Sequence, residues 1–392
     1  MKNYLNYTFT QIKNYIPDKI IKRTAEQYKS DYYTKKFTTK MHLLTIMKSV
    51  LSDCTSLREI VGLILLSSPE LNKLGFNVIP RRSTISDANM KRNPEVFETI
   101  YFKLLKKYRP ILSDSSNGQE NKLKNLNIVD STTISLFSDI SRGVGRNPKQ
   151  GKKKGGLKLH TKINSMENVP NLVKITDATT NDRIIYKYLD DLQKGSIITF
   201  DKGYNDYTEY QKFNEKGIYF VTRQNTNASY KSIKELDLLE ETPETILKDE
   251  IIEVKNGLKL RRVAYWYEKD KKTFEYITNN LELPAEDICQ IYKKRWKIEL
   301  LFKRLKQNYP LKYFLGDNRN AIEIQIWVTL IVDLIIQVIS KEIKKKHAFS
   351  TIVSIIRLAL MVKVDIIAYF NEQEKYSYTI AIKSDQLKLE FG

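Results

Sequence analysis

Leu126-Asn127-Ile128-Val129-Asp130-Ser131-Thr132 reads as a buried strand that runs out on a carboxylate. Downstream, Gly156 to Asn164 alternates as a second strand and Leu172 to Thr176 as a third. Asp182 to Leu192 has the spacing of a helix, and Ser196-Ile197-Ile198-Thr199-Phe200 is a largely apolar strand leading straight into Asp201. Strands followed by strand–helix alternation predict a mixed α/β sheet over 122–204. From Asn205 to Asn280 the texture turns β-rich, with strands expected at Gly217–Thr222, Glu250–Val254, Lys259–Tyr267 and Thr273–Thr278. This makes 205–282 a β-rich insertion, within which Lys231 to Glu250 is acidic. A helical pattern starts at Pro284 and runs to about Asn308, and another spans Ala321 to Lys346.

Upstream of the first strand the chain reads as helical, and residues 1–115 form a basic N-terminal region. Met41 to Leu51 places Leu44, Met47 and Leu51 on one helix face, and Ser56-Leu57-Arg58-Glu59 has the form of a capping box opening a helix through Leu66. In Pro80-Arg81-Arg82-Ser83-Thr84-Ile85-Ser86-Asp87, Thr84 and Asp87 suit a second box; Asn93-Pro94-Glu95 places a cap and a first-turn proline before a helix to about Tyr108. Short helices with two arginines just ahead of a helix start resemble a helix-turn-helix DNA reader, Arg81 and Arg82 being its phosphate contacts. A basic helical bundle is the plainer reading. Ser113 to Lys122 is polar and reads as a linker.

The 392 residues include 66 Lys and Arg against 46 Asp and Glu, a net charge of +20. Such a surplus points to a polyanion, nucleic acid first. The hydrophobic fraction of 41% excludes an intrinsically disordered chain. Two cysteines, Cys54 and Cys289, and three histidines exclude a disulfide framework or a zinc ribbon and suit a reducing compartment. The N-terminus lacks the apolar core of a secretion signal, so a cytoplasmic protein is expected, nucleoid-associated when bound to DNA. The apolar run Ile324 to Ile339, broken by Gln325, Thr329, Asp333 and Gln337, is short for a bilayer span and reads as a core or dimer-facing helix; no membrane partner is expected.

The third acid of interest lies in Ile291-Tyr292-Lys293-Lys294-Arg295-Trp296-Lys297-Ile298-Glu299, which continues to Lys306. At roughly 100° per residue, Tyr292, Arg295, Glu299 and Lys306 fall within an arc of about 60°, beside a stripe of Ile291, Ile298, Leu301, Phe302 and Leu305. Glu299 is the single acid among the eight basic residues between Ile291 and Tyr313. An i,i+4 surface pair with Arg295 or Lys303 would explain it as well. Between the first two acids, Arg142 to Lys162 holds eight basic residues and no acidic one, among them Lys152, Lys153 and Lys154. They suit salt-dependent tracking of DNA phosphates, or a solvated loop.

The spacing Y-x-x-R-x-x-x-E-x-x-x-x-x-x-K over Tyr292, Arg295, Glu299 and Lys306 resembles the signature of bacterial insertion-sequence DDE transposases, specifically insertion-sequence family 4. Asp201-Lys202-Gly203-Tyr204 resembles the family's motif around its second catalytic Asp, Ile128-Val129-Asp130-Ser131-Thr132 the strand bearing the first, and Arg295-Trp296-Lys297-Ile298-Glu299 its R-W-x-I-E run. Leu159-His160-Thr161 and Asn181-Asp182 sit where the family carries a further H and D.

The resemblance implies an α/β, RNase H-like mixed-sheet catalytic core over 122–204 and 283–346. This core would be interrupted by the β-rich insertion, preceded by the helical DNA-binding region and followed by a C-terminal region, 347–392. It implies Asp130, Asp201 and Glu299 as catalytic, metal-holding carboxylates for Mg²⁺, two ions per site, with Mn²⁺ able to substitute. Tyr292, Arg295 and Lys306 would hold DNA phosphate, His160 would contact the scissile region or serve equally as a structural histidine, and the partners would be double-stranded DNA and a second copy in a homodimer. In relatives that excise through a hairpin an aromatic of the insertion stacks on a flipped base. Phe274 and Trp266 stand near that place, although their alternation along a strand reads first as core. The expected activity is binding of terminal inverted repeats, cleavage of the DNA ends and insertion into a target. The rivals are a catalytically silent transposase-derived DNA-binding protein or inhibitor, and a structure-specific nuclease on the same core.

Overall fold

The structure is a computed structural model that describes residues 6–113, 125–135, 156–238 and 243–372. Its N-terminal part folds into α1 (Thr8–Asn14), α2 (Asp18–Gln27), α3 (Thr39–Leu51), α4 (Leu57–Leu66), α5 (Ser68–Lys73), α6 (Arg82–Lys91) and α7 (Glu95–Leu112). Ser56 caps α4 as expected: its hydroxyl accepts from the Glu59 N–H at 3.3 Å, while the Glu59 carboxylate accepts from Ser56 Oγ and the Thr55 N–H. Asn93 Oδ1 accepts from the Glu95 N–H at 2.9 Å, closing the start of α7 beside Pro94. The expected Thr84–Asp87 box does not form. Arg81, extended after Pro80, already stands at the cap of α6 and its carbonyl accepts from the Ile85 N–H, so Thr84 and Asp87 lie inside the helix. The linker residues 114–122 lie outside the described residues.

The strands are β1 (Leu126–Ser135), β2 (Gly156–Asn164), β3 (Pro170–Asp177), β4 (Ile197–Thr199), β5 (Tyr219–Arg223), β6 (Tyr230–Glu235), β7 (Ile246–Val254), β8 (Lys259–Tyr267) and β9 (Lys272–Thr278). They form one sheet in the order β3-β2-β1-β4-β5-β9-β8-β7-β6. β1, β4 and β5 are parallel, and antiparallel strands extend the sheet on both sides. β5 and the intervening helix α8 (Tyr207–Glu215) thus belong to the parallel centre, and β6 to β9 continue the same sheet from β5.

Two local expectations change here. Asp130 does not end its strand: β1 runs five residues further, to Ser135, and it is β4 that stops, pairing only with Leu126, Ile128 and the residue between them. Past Ile128 one side of β1 is free of a parallel neighbour, which opens space at Asp130. Over Asp182 to Leu192 the structure has a 3₁₀ helix, Asp182–Tyr188, of which Ile185 alone is buried; that apolar face is too narrow to hold a longer α-helix.

The helical pattern from Pro284 divides into α9 (Ala285–Lys294) and α10 (Trp296–Asn308), joined at Arg295 by i→i+3 bonds from Arg295 N–H to Tyr292 O and from Ile298 N–H to Arg295 O. α11 (Arg319–Glu342) follows, then α12 (Phe349–Ala359) and α13 (Ile366–Asn371). α11 starts two residues before the expected helix and ends four residues short of Lys346, and it is long and apolar enough by composition to cross a bilayer. Its most apolar window is 89% buried against α3, α6, α7 and α12, which makes it the core helix of the protein. Asp333 in that helix is paired with Arg304 at 2.7 Å.

Apolar side chains fill both faces of the sheet. On one, Ile128 and Leu159 join the helices, among them Ile298, Leu301 and Leu305 of α10. On the other, Val129, Ile198, Phe200, Tyr204, Tyr210 and Phe220 pack with Ile185. At about 1.5–3 kcal/mol per fully buried large side chain, these two layers hold the sheet and α10 in fixed relation.

Candidate active site

Asp130 and Asp201 are carried by neighbouring strands, and Glu299 reaches them from the first turn of α10. Asp130 shares the face of β1 that α10 covers, because residues alternate along the strand, α10 packs on β1, and Ile128 lies in the same core as Leu301 of α10. Asp201 follows β4 by way of Phe200, extended, ahead of a single 3₁₀ turn at Lys202–Tyr204.

The junction of α9 and α10 ties the three together. Arg295 donates from Nη2 to Glu299 Oε1 at 2.6 Å, and its Nη1 lies 3.7 Å from Asp130 Oδ2. The Tyr292 hydroxyl donates to Asp201 Oδ1 at 3.3 Å, and the Arg295 guanidinium sits over the Tyr292 ring, 5.5 Å from its centroid. One stacked Arg–Tyr pair therefore touches all three carboxylates. The i,i+4 pairing of Glu299 with Arg295 is present, but inside the site, where the Arg295 side chain is 15% exposed.

Burial pushes the Asp130 carboxyl up to about 6; the Ser131 N–H and Arg295 pull it down, while the charges of Asp201 and Glu299 push it up again. Burial also pushes the Tyr292 phenol up to about 12, so it is a hydrogen-bond donor at neutral pH. Asp130, Asp201 and Glu299 offer only oxygen donors, the set that hard divalent cations take. Their mutual repulsion is the charge imbalance such a cation relieves. Among the described residues, no three acidic, His or Cys side chains close around one point as they stand, because the Arg295 guanidinium lies between Asp130 and Glu299.

The other residues singled out in the sequence are dispersed. Lys306, two turns along α10 from Glu299, is exposed. Arg81 and Arg82 are exposed at the start of α6, and Arg82 lines a groove of about 830 Å³ with Ser56, Arg58 and Asn318. Lys152, Lys153 and Lys154 lie outside the described residues. Of the two readings of His160, a contact at the scissile region or a structural histidine, the structure shows an interior group. It is fully buried on β2 with Nε2 2.9 Å from Thr176 Oγ1, and burial holds its pKa down to about 4. Trp266 is exposed and Phe274 half-buried rather than core, and the Arg223 guanidinium lies 4.1 Å above the Phe274 ring. Sequence reasoning passed over Arg223, quoted Ser131 only as part of the first acid's strand, and counted Lys158 among the cations suited to DNA phosphate, whereas Lys158 is buried against Asp182; the pairing of strands brings the three near the site.

A parallel-centred sheet with acids at two neighbouring strands and a third on the helix laid across them defines a nucleic-acid phosphoryl-transfer enzyme of RNase H-like fold. The chain belongs to the transposase DDE domain family, whose model matches residues 121–333 and so contains all three acids. It is a DDE transposase, of a family that carries out metal-dependent DNA cleavage and strand transfer. A domain of unknown function (DUF4372) matches residues 6–77. The putative transposase y4zB of Sinorhizobium fredii is 28% identical over 270 residues, covering 67% of this chain and 72% of its own. The putative transposase for insertion sequence element IS4SA of Synechocystis is 29% identical over 279 residues, 66% and 72% of the two chains. The probable transposase for insertion sequence element IS5377 of Geobacillus stearothermophilus is 23% identical over 260 residues, 63% and 66%. Among solved structures, the piggyBac transposase synaptic complex with hairpin DNA matches 97% of this chain and 83% of its own at a TM-score of 0.43 and 10% identity.

Proposed function

We propose that Asp130, Asp201 and Glu299 are the catalytic, metal-holding carboxylates of this transposase, and that it cuts the terminal inverted repeats of its own element and joins them to target DNA. The observation that carries this is the Arg295–Tyr292 pair, which contacts three carboxylates drawn from three separated segments. Divalent cations, Mg²⁺ with Mn²⁺ as substitute and two per site, would activate the attacking oxygen and stabilise the leaving oxygen of an in-line displacement.

The chain's own groups supply the rest. Arg295, once clear of Glu299, presents a planar fork to a phosphate beside the carboxylates, and the Tyr292 hydroxyl donates to the same phosphate. Lys306, farther along α10, meets the backbone beyond the scissile position. Arg81 and Arg82 of the 1–115 region, with Lys152, Lys153 and Lys154, add phosphate contacts whose worth falls steeply with salt. Two ends must be held together, so the working unit on DNA is a homodimer acting at the nucleoid in the cytoplasm.

Purified protein, a supercoiled plasmid carrying both ends and Mg²⁺ or Mn²⁺ test this reading: an excised fragment and inserted products are expected. Metal-dependent nicking that ignores the ends would overturn it in favour of a structure-specific nuclease.

A further inference from the structure

Ser131 lies next to Asp130 and, by alternation, projects from the opposite face of β1. There it pairs in register with His160 of β2. Its hydroxyl donates to Asp182 Oδ1 at 2.5 Å, and Lys158 Nζ lies 3.0 Å from the same oxygen while donating to Thr180 O at 2.7 Å. Ser131 also donates its backbone N–H to Asp130 Oδ1 at 2.8 Å. One residue thus grips Asp182 through its side chain and Asp130 through its backbone.

This arrangement is costly to build. The Lys158 side chain is 8% exposed, and a buried ammonium is stable only with a partner charge, here Asp182. The Tyr204 hydroxyl is buried nearby, with the Ser131 side chain and the charges of Asp130, Asp182 and Asp201 among the groups acting on it. The network therefore borders the carboxylate site from behind.

We propose that Asp182 is a positioning residue for Asp130. Anchored by Lys158, it fixes Ser131, whose N–H holds Oδ1 of Asp130 and leaves Oδ2 facing Arg295. The inference rests on Asp130 being a metal ligand, as argued above. A hydrogen-bonded partner behind a ligating carboxylate sets its orientation, and losing such a partner costs about 10- to 100-fold in metal affinity.

The full chain is titrated with Mn²⁺ alone, free Mn²⁺ being read by electron paramagnetic resonance. Gel shift on the DNA ends and the Mn²⁺ dependence of cleavage are measured in parallel. Asp182→Asn and Ser131→Ala should each weaken Mn²⁺ binding roughly tenfold and raise the Mn²⁺ needed for half-maximal cleavage by the same factor, with end binding unchanged. Ser131→Thr, which keeps the hydroxyl, should bind as the parent does. Should Asp182→Asn unfold, Ser131→Ala decides alone, since it leaves the Asp182–Lys158 pair in place. Parent-like Mn²⁺ affinity in Ser131→Ala and in any folded Asp182→Asn protein overturns the positioning role. Asp130→Asn separates the two claims: if it too binds Mn²⁺ as the parent does, the assignment of the site itself falls.

Discussion

Replacing Asp130 with Asn should stabilise the fold at neutral pH while removing activity. In the folded chain burial raises the Asp130 carboxyl from its ordinary value of 3.8 to about 6, although Ser131 and Arg295 oppose the rise. Its side chain is 20% exposed, so solvent screens the effect only in part. A rise of about two units at about 1.4 kcal/mol each amounts to roughly 3 kcal/mol of strain carried by the ionised site. The sign follows from proton binding. Below pH 4 the carboxyl is protonated in both folded and unfolded chains and costs nothing. Between about 4 and 6 the folded chain holds the proton more tightly, so stability declines as pH rises, and the loss is complete above about 6.

Asn cannot ionise and keeps an oxygen for the Ser131 N–H, but it gives up the attraction of Arg295, 3.7 Å away. The net gain expected above pH 7 is therefore about 1–3 kcal/mol. Urea unfolding of both proteins at pH 3.5 and pH 8, followed by tryptophan fluorescence, measures it. The two midpoints should nearly coincide in acid and separate at pH 8, with the variant the more resistant. An Asn variant that is less stable at pH 8, or whose advantage does not change with pH, would refute the claim that burial of the ionised Asp130 carboxylate sets this cost.

Two further outcomes test the packing around the site. Asp333→Asn should cost about 3–5 kcal/mol in urea unfolding, because the carboxylate is buried and takes bonds from Arg304 Nε and Nη2 and from the Tyr309 hydroxyl, leaving Arg304 without its partner charge. Ser56→Ala should lower stability by about 1 kcal/mol through loss of the α4 cap, with cleavage and end binding retained.

The parts of the fold written in the sequence are those where burial follows a period. β2 and β8 lie within the bounds their alternation predicts, Gly156–Asn164 and Lys259–Tyr267. β6 was invisible because all six of its residues are exposed; an edge strand with Lys231 and Lys234 on it has no apolar rhythm to betray it. The acids themselves were legible as types beside apolar strands and on a helix face, but Asp130 lies mid-strand, and the opening beside it depends on where β4 stops, a matter of strand length that no single residue announces. Regular helix geometry put Tyr292, Arg295 and Glu299 on one face, but not that Arg295 would lie between Glu299 and Asp130. The tie from Asp182 to Asp130 spans 52 positions and exists only because Ser131 points through the sheet; spacing along the chain carries no trace of it.

The central claim is that Glu299, on a helix far along the chain, completes one catalytic centre with Asp130 and Asp201. Cleavage of a plasmid carrying both ends by Glu299→Ala protein, run beside a gel shift on the same ends, tests it most directly. The account predicts end binding close to the parent and no detectable excision at any Mg²⁺ or Mn²⁺ concentration. Parent-like excision by Glu299→Ala would contradict it.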